Sequence, residues 1–332
     1  MSQSPTTDIA DHGAGLVPRS RAGKRLSIVA PMHDEAEVLD AFFERIGAAT
    51  ADLGVDVEII CVDDGSRDAT LAGLALRAAH DRHVKVIALA RNFGKEAALT
   101  AGIDAASGDM VAPIDADLQD PPELIAEFVK RWEEGYDVVY GARVDRSSDT
   151  AMKRSTARLF YNVFNRVADL AIPDSAGDFR LMDRQVVEAL KLLPERNRFM
   201  KGLFAWVGFR QIGVPYVRPR RAAGTSSMGY IRLWRFALDG ITSFSTAPLR
   251  IWTAVGLGGA VLAVVAAAAL VISVLVRGRE VPGYASLMVV ILLGFAVQMI
   301  AFGVLGEYVG RLYQEVKGRP IYVVRKRLGF GD

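Results

Sequence analysis

Residues 114–123 read IDADLQDPPE. Ahead of them Met110, Val111, Ala112 and Pro113 form a short apolar run, which predicts a buried strand delivering Asp115 and Asp117 at its C-terminal end, with Asp120 close behind. The Pro121-Pro122 pair then opens a helix of sequence ELIAEFVKRW. Folds built on parallel sheets place their sites at such strand ends. Two carboxylates at i and i+2 around a turn can hold a divalent cation through oxygen, and that cation can neutralise a diphosphate. Sugar-nucleotide chemistry is therefore a candidate; the competing reading is that the aspartates only cap the next helix.

Working outward, apolar segments and helical segments alternate. LSIVAP from Leu26 reads as a strand and HDEAEVLDAFFERIGAATADL as the helix after it. VEIICV (57–62) is a second strand, ending in DDGSRDAT, and a helix is predicted over 69–80. VKVIAL from Val84 is a third, followed by the loop and helix RNFGKEAALTAGIDAAS; 109–114 and 137–140 make a fourth and fifth. This alternation predicts an α/β fold with a mostly parallel sheet covered on both faces. Beyond it, DFRLM (178–182) reads as a strand, 185–192 and 199–206 as helices, and GFRQIGVPYV as another strand.

The apolar share, 51%, is concentrated in the last quarter. Ile251–Val276 and Val281–Gly306 each run uncharged for 26 residues, longer than the roughly 20 that span a bilayer as helix. Basic residues flank both runs, Arg232, Arg235 and Arg250 before and Arg311, Lys317, Arg319, Arg325, Lys326 and Arg327 after, which predicts a hairpin with both ends on the cytoplasmic side. The domains expected are a disordered tail (1–23), a catalytic domain (24–226), an amphipathic interfacial segment (227–250), a two-span hairpin (251–308) and a basic cytoplasmic C-terminal segment (309–332). The net charge of +2 says little about nucleic acid, but no nucleic-acid motif is visible and no such partner is expected; the lone Cys61 excludes an internal disulfide and reads as a core residue.

Asp63 and Asp64 stand side by side at the end of the second strand, where they repel unless something binds them, so ligand contact is expected; Asp68 reads as a helix cap. Arg91 and Lys95 follow the third strand, and Arg143, Arg146, Lys153, Arg154 and Arg158 follow the fifth, a basic set suited to phosphate. Asp178 opens another apolar strand, as a residue lining the site, as a base, or as the partner of Arg180 or another basic residue in a structural ion pair. A phosphate acceptor is already ionised near neutral pH and needs placement more than deprotonation. His33 reads as a loop residue because no second His or Cys stands at metal-ligand spacing.

PMHDEAEVL (31–39), DDGSRDAT (63–70), RNFGKEAALTAG (91–102), DADLQDPPE (115–123) and AGDFRLMDR (176–184), with the two apolar runs, resemble the family-2 glycosyltransferases over about residues 24–325. Within these, the likeness is to the polyprenyl-phosphate glycosyltransferases, which include dolichyl-phosphate mannose synthases and the bacterial GtrB-type bactoprenol glucosyl transferases. The resemblance implies a GT-A fold, a UDP-sugar donor, Mg2+ or Mn2+, and transfer of one hexose, glucose in first place, to undecaprenyl (polyisoprenyl) phosphate with inversion. It implies a bacterial inner membrane, multi-pass, with the catalytic domain cytoplasmic, and homo-oligomers, tetramers in some cases. On the same likeness Pro31, Glu35, Asp63, Asp64, Lys95, Asp115 and Gln119 would bind donor, Asp117 with Asp115 would hold metal, Arg143, Lys153 and Arg154 would face the acceptor phosphate, and Asp178 would lie near the sugar. His33 stands where the family pattern commonly has Asn, and the Gln-x-x-Arg-Trp motif of processive relatives is missing, which favours single transfer. The alternatives are another donor sugar (GlcNAc, mannose or a modified pentose) or a catalytically silent nucleotide-sugar-binding membrane scaffold.

Overall fold

The computed structural model describes residues 15–143, 176–193, 195, 196, 198, 200–217, 247–277 and 283–331. The chain divides into two units, a sheet domain to which residues 320–332 also belong, and a unit containing residues 230–319. Among the described residues the sheet domain has eight strands: β1 (Arg25–Met32), β2 (Asp56–Asp63), β3 (Val84–Leu89), β4 (Met110–Pro113), β5 (Val138–Arg143), β6 (Ala176–Asp183), β7 (Gln211–Tyr216) and β8 (Val324–Leu328). Their order is β7-β5-β6-β4-β1-β2-β3-β8. The central four, β4, β1, β2 and β3, run parallel, as the alternation predicts. β6 enters antiparallel between β4 and β5, and β8 closes the far edge antiparallel to β3.

The helices of this domain are α1 (Leu39–Thr50), α2 (Thr70–His80), α3 (Lys95–Ala105), α4 (Ile125–Glu133), α5 (Arg184–Lys191) and α6 (Met200–Trp206). Successive residues of β1 point to opposite faces. Leu26, Ile28, Ala30 and Met32 join one core with Phe42 and Ile46 of α1 and Phe128 and Trp132 of α4, while Val29 on the other face meets α3 at Gly102. The sheet is thus covered on both sides, and Cys61 is buried in it. The helix after IDADLQDPPE starts as a 3-10 turn at Pro122–Leu124, because Pro at its first position has no N–H to give and a φ already set for helix.

Two boundaries differ from expectation. Residues 15–23 are fixed against α4 and β5: Arg19 donates to the Tyr136 carbonyl (3.0 Å), pairs with Asp137 and with Asp183 (3.3 Å) and lies over the Trp132 ring, and Arg21 pairs with Glu133 (3.1 Å). The segment after the apolar runs returns to the sheet as β8, with the Ala90 N–H donating to Val323 O (2.8 Å) and the Tyr322 hydroxyl to Asp104 (2.8 Å) on α3. In the second unit α7 (Ala247–Arg277) and α8 (Tyr284–Val316) contain apolar stretches at 254–273 and 286–316 long enough to cross a bilayer. The interfacial segment expected over 227–250 lies outside the described residues up to 246.

Candidate active site

The C-terminal ends of β1, β2, β3 and β4 bring their following loops to one edge of the sheet. Ile114 extends the β4 ladder by donating to Val29 O (2.9 Å), and the chain then turns at Asp115. Leu118 has φ 53°, a left-handed conformation that a bulky side chain adopts at a cost of roughly 1–3 kcal/mol. The turn is held by Asp117, whose Oδ1 accepts the Gln119 N–H (3.1 Å), and by Arg45, which donates to Leu118 O. Asp34, in the loop after β1, is the other described non-glycine residue with positive φ (55°), and its carboxylate accepts the Arg67 N–H (2.7 Å).

Lys95 occupies the centre. It is the first residue of α3, and its Nζ lies 2.7 Å from Asp115 and 2.9 Å from Asp178, joining the loop after β4 to β6. Burial works against charge at Asp178, but Lys95 and then Lys201 outweigh it and hold the carboxyl at about 2. Burial raises Asp115 despite Lys95, with Asp178 and Asp117 adding to the rise. Glu35 is likewise raised, by burial and by the charges of Asp117 and Asp115. Asp178 Oδ1, Gln119 Nε2 and Arg180 Nε are buried polar atoms without a hydrogen-bond partner. Unpaired buried groups carry a desolvation cost.

The loop bearing Lys95 is set by Asp64. Its two oxygens accept the N–H groups of Phe93 (2.7 Å) and Gly94 (2.8 Å), and the Asp64 N–H donates to Met32 O (2.9 Å). Asp63 accepts the Ser66 N–H at 3.3 Å and is buried. Peptide N–H groups therefore answer the repulsion between these neighbouring acids. Asp68 accepts the N–H and hydroxyl of Thr70, the first residue of α2, and the Ala36 N–H; it stands one position ahead of the N-cap residue, Ala69, and ties the helix start to the loop after β1. His33 meets the Asn92 amide (3.0 Å) in the same loop layer.

With this geometry in hand, comparison with known proteins is decisive. The model of Glycosyl transferase family 2 matches residues 27–191. An uncharacterized glycosyltransferase of Synechocystis, sll0501, is 53% identical over 90% of this chain and 94% of its own. The bactoprenol glucosyl transferase of Shigella phage SfII is 48% identical over 91% of this chain and 98% of its own. The chain belongs to glycosyltransferase family 2. Among solved structures, the mannosyltransferase PcManGT of Pyrobaculum calidifontis, in complex with GDP-Man and Mn2+, matches 91% of this chain and 88% of its own at 18% identity and a TM-score of 0.45.

In this family-2 glycosyltransferase the GT-A-like sheet carries the expected residues from separate strands. Asp115, Lys95 and Asp178 are joined directly; Asp117, Glu35 and Gln119 stand around them. Pro31 lies on β1 beside Val62 of β2. Arg143, at the end of β5, donates from Nε to the Tyr216 hydroxyl (3.1 Å), and its charge is felt at Asp178. Lys153 and Arg154 lie outside the described residues. Glu96 and Tyr216 carry no signal in the sequence, and Arg180 stands there only as a candidate ion-pair partner of Asp178. Arg180 is buried with its guanidinium 3.8 Å from the Phe204 ring centroid, its Nη2 donating to Gly177 O (2.7 Å). Its only signal in the sequence was an arginine inside an apolar strand.

Glu96 gives a pH prediction. Burial first, then the charge of Asp178, pushes its carboxyl up to about 7, although the Met200 N–H donates to it. Between about pH 4.5 and 7 the folded chain keeps a proton that the unfolded chain has lost, so this group's contribution falls as pH rises and is fully lost above 7. Glu96→Gln removes the ionisation. Relative to wild type it is expected to gain on the order of 1–2 kcal/mol at pH 8 compared with pH 5, read from melting curves across that range. Parallel curves for the two proteins would refute the assignment.

Proposed function

We propose that this enzyme transfers one glucose from UDP-glucose to the phosphate of undecaprenyl or a similar polyisoprenol, with inversion at the anomeric carbon. The observation that carries the reading is the extent of the likeness to the phage bactoprenol glucosyl transferase. It runs over 91% of this chain, too much to leave out the two apolar helices. A soluble acceptor would not call for such helices, whereas a polyisoprenyl phosphate is itself held in a bilayer.

The metal fit rests on the donor set. Among the described residues no group of three or more His, Cys, Asp or Glu side chains is placed to hold an ion alone. Mg2+ or Mn2+ needs only one or two carboxylates where substrate phosphates supply further oxygens, and Asp115 lies close enough to Asp117 to feel its charge. Asp117, with Asp115, would hold it, and the bound ion would neutralise charge on the departing diphosphate. Asp178, held at about 2, is too weak a base to take a proton near neutral pH, and an ionised phosphate acceptor offers none to take. Its part is to fix Lys95 and, with it, the donor side of the site.

The return strand supports a multi-pass arrangement. β8 follows α8 and hydrogen-bonds to β3, and strands of one sheet lie on one side of a bilayer. The chain between β7 and β8 therefore crosses an even number of times, which α7 and α8 satisfy as a pair with the catalytic domain on the cytoplasmic face. Full-length protein in detergent, given labelled UDP-glucose, undecaprenyl phosphate and Mg2+ or Mn2+, is expected to form lipid-linked glucose of inverted anomeric configuration. UDP-GlcNAc and GDP-mannose serve as competing donors, and a preference for one of them would replace glucose in the reading. No lipid-linked sugar from any donor would overturn the reaction class.

A further inference from the structure

We propose that Tyr216 and Asp120 are positioning residues that hold the Arg143 guanidinium for the acceptor phosphate. The proposal rests on the reading of Arg143 as an acceptor-side group. Three separate elements meet here. Arg143 ends β5, Tyr216 ends the neighbouring parallel strand β7, and Asp120 belongs to the turn after β4 that also carries Asp115 and Asp117.

The hydrogen bonds run in one direction. Arg143 Nε donates to the Tyr216 hydroxyl (3.1 Å), and that hydroxyl in turn donates to Asp120 Oδ1. Arg143 Nη2 also stands 3.7 Å from the same carboxylate oxygen. Burial and then the Asp120 contact push the Tyr216 phenol up to about 12, so it stays protonated and can accept from the arginine while donating to the aspartate. The Asp120 side chain is 3% exposed and that of Arg143 is 31% exposed. One edge of the guanidinium is thus anchored to a buried acid, while part of the side chain remains open to a ligand.

Gly177 lets the backbone of β6 approach the guanidinium. A Cβ there would come within 3.2 Å of Arg143 Nη2, the same nitrogen that faces Asp120, and Gly177 immediately precedes Asp178. The guanidinium therefore lies near enough to the residue that fixes Lys95 to feel its charge. An arginine binds phosphate well through a rigid fork, but only once the long side chain has lost its rotamer freedom. A tyrosine and an aspartate that remove that freedom in advance lower the cost of binding.

The test is a double-mutant cycle on full-length enzyme in detergent, with apparent KM measured separately for undecaprenyl phosphate and UDP-glucose. Tyr216→Phe removes the hydroxyl that links Arg143 to Asp120 and is expected to raise the acceptor KM by about five- to tenfold, with the donor KM within about twofold of wild type. Asp120→Asn, which keeps the side-chain shape, should act in the same direction. In an Arg143→Ala background the further effect of Tyr216→Phe should shrink below about twofold, because the two act as one unit. If Tyr216→Phe costs the same with or without Arg143, the pair only ties β7 to the turn and the proposal is overturned. If Arg143→Ala raises the acceptor KM while neither Tyr216→Phe nor Asp120→Asn does, the brace fails but the acceptor reading stands. An acceptor KM unmoved by Arg143→Ala would remove both.

Discussion

Asp117→Asn is expected to lower turnover by about 100- to 1,000-fold while leaving the fold in place. Asn keeps an oxygen where Asp117 Oδ1 accepts the Gln119 N–H, so the turn that carries Asp115 survives the change. What disappears is the negative charge, and with it, on the proposed function, the hold on a cation set against a diphosphate as charge grows on the leaving group. The measurement is kcat with both substrates saturating, across a Mn2+ titration, beside a melting curve. Near-wild-type turnover at subsaturating metal would show that Asp117 serves only the turn. A lowered melting temperature with unchanged kcat would say the same.

Gly65→Ala should damage the site from a distance. Gly65 has φ +67°, and a Cβ there would stand 2.6 Å from the backbone of both Arg91 and Asn92. Two costs combine, about 1–3 kcal/mol for the left-handed backbone and a similar amount for the collision. The atoms in the way are main chain, so relief requires moving the 91–94 loop. Asp64 holds that loop through Phe93 and Gly94, and Lys95 follows it directly. Displacement should therefore take Lys95 off Asp115 and Asp178, weakening donor binding as well as stability. Gly54→Ala is the control, since Gly54 shares the conformation (φ +66°) with nothing within 4 Å. Equal melting temperatures and donor KM values for the two variants would refute the collision argument.

The central βα units were legible because their signal is local. VEIICV and VKVIAL are too short and too apolar for surface helices, and each is followed by a segment with helical spacing. The carboxylates of IDADLQDPPE were legible for the same reason, since a strand end and its turn occupy a single stretch. Partners across long separations were not. Nothing near Val324 announces that VRKRL pairs with β3, and its run of basic residues reads equally well as a solvated tail. Arg19 looked like part of a tail because the acids and the tryptophan that hold it lie more than a hundred residues away. The repulsion between Asp63 and Asp64 is legible in the sequence, but the peptide N–H groups that answer it are not: those at Asp64 arrive from the loop after β3, and the one at Asp63 comes from Ser66. Arg143 could be picked out by its charge, whereas Tyr216, a lone tyrosine at a strand end, carried no comparable signal.

The return of β8 to the sheet also sets a clock. A chain is made from its N-terminus, so β1 to β7 leave the ribosome well before residues 324–328, with both long apolar helices emerging in between. Throughout that interval β3 has a bare edge, and the helix that begins at Lys95 lacks its tether from Tyr322 to Asp104. The finished sheet therefore exists only after both long apolar helices have been synthesised. Order of manufacture ties its completion to residues that follow them.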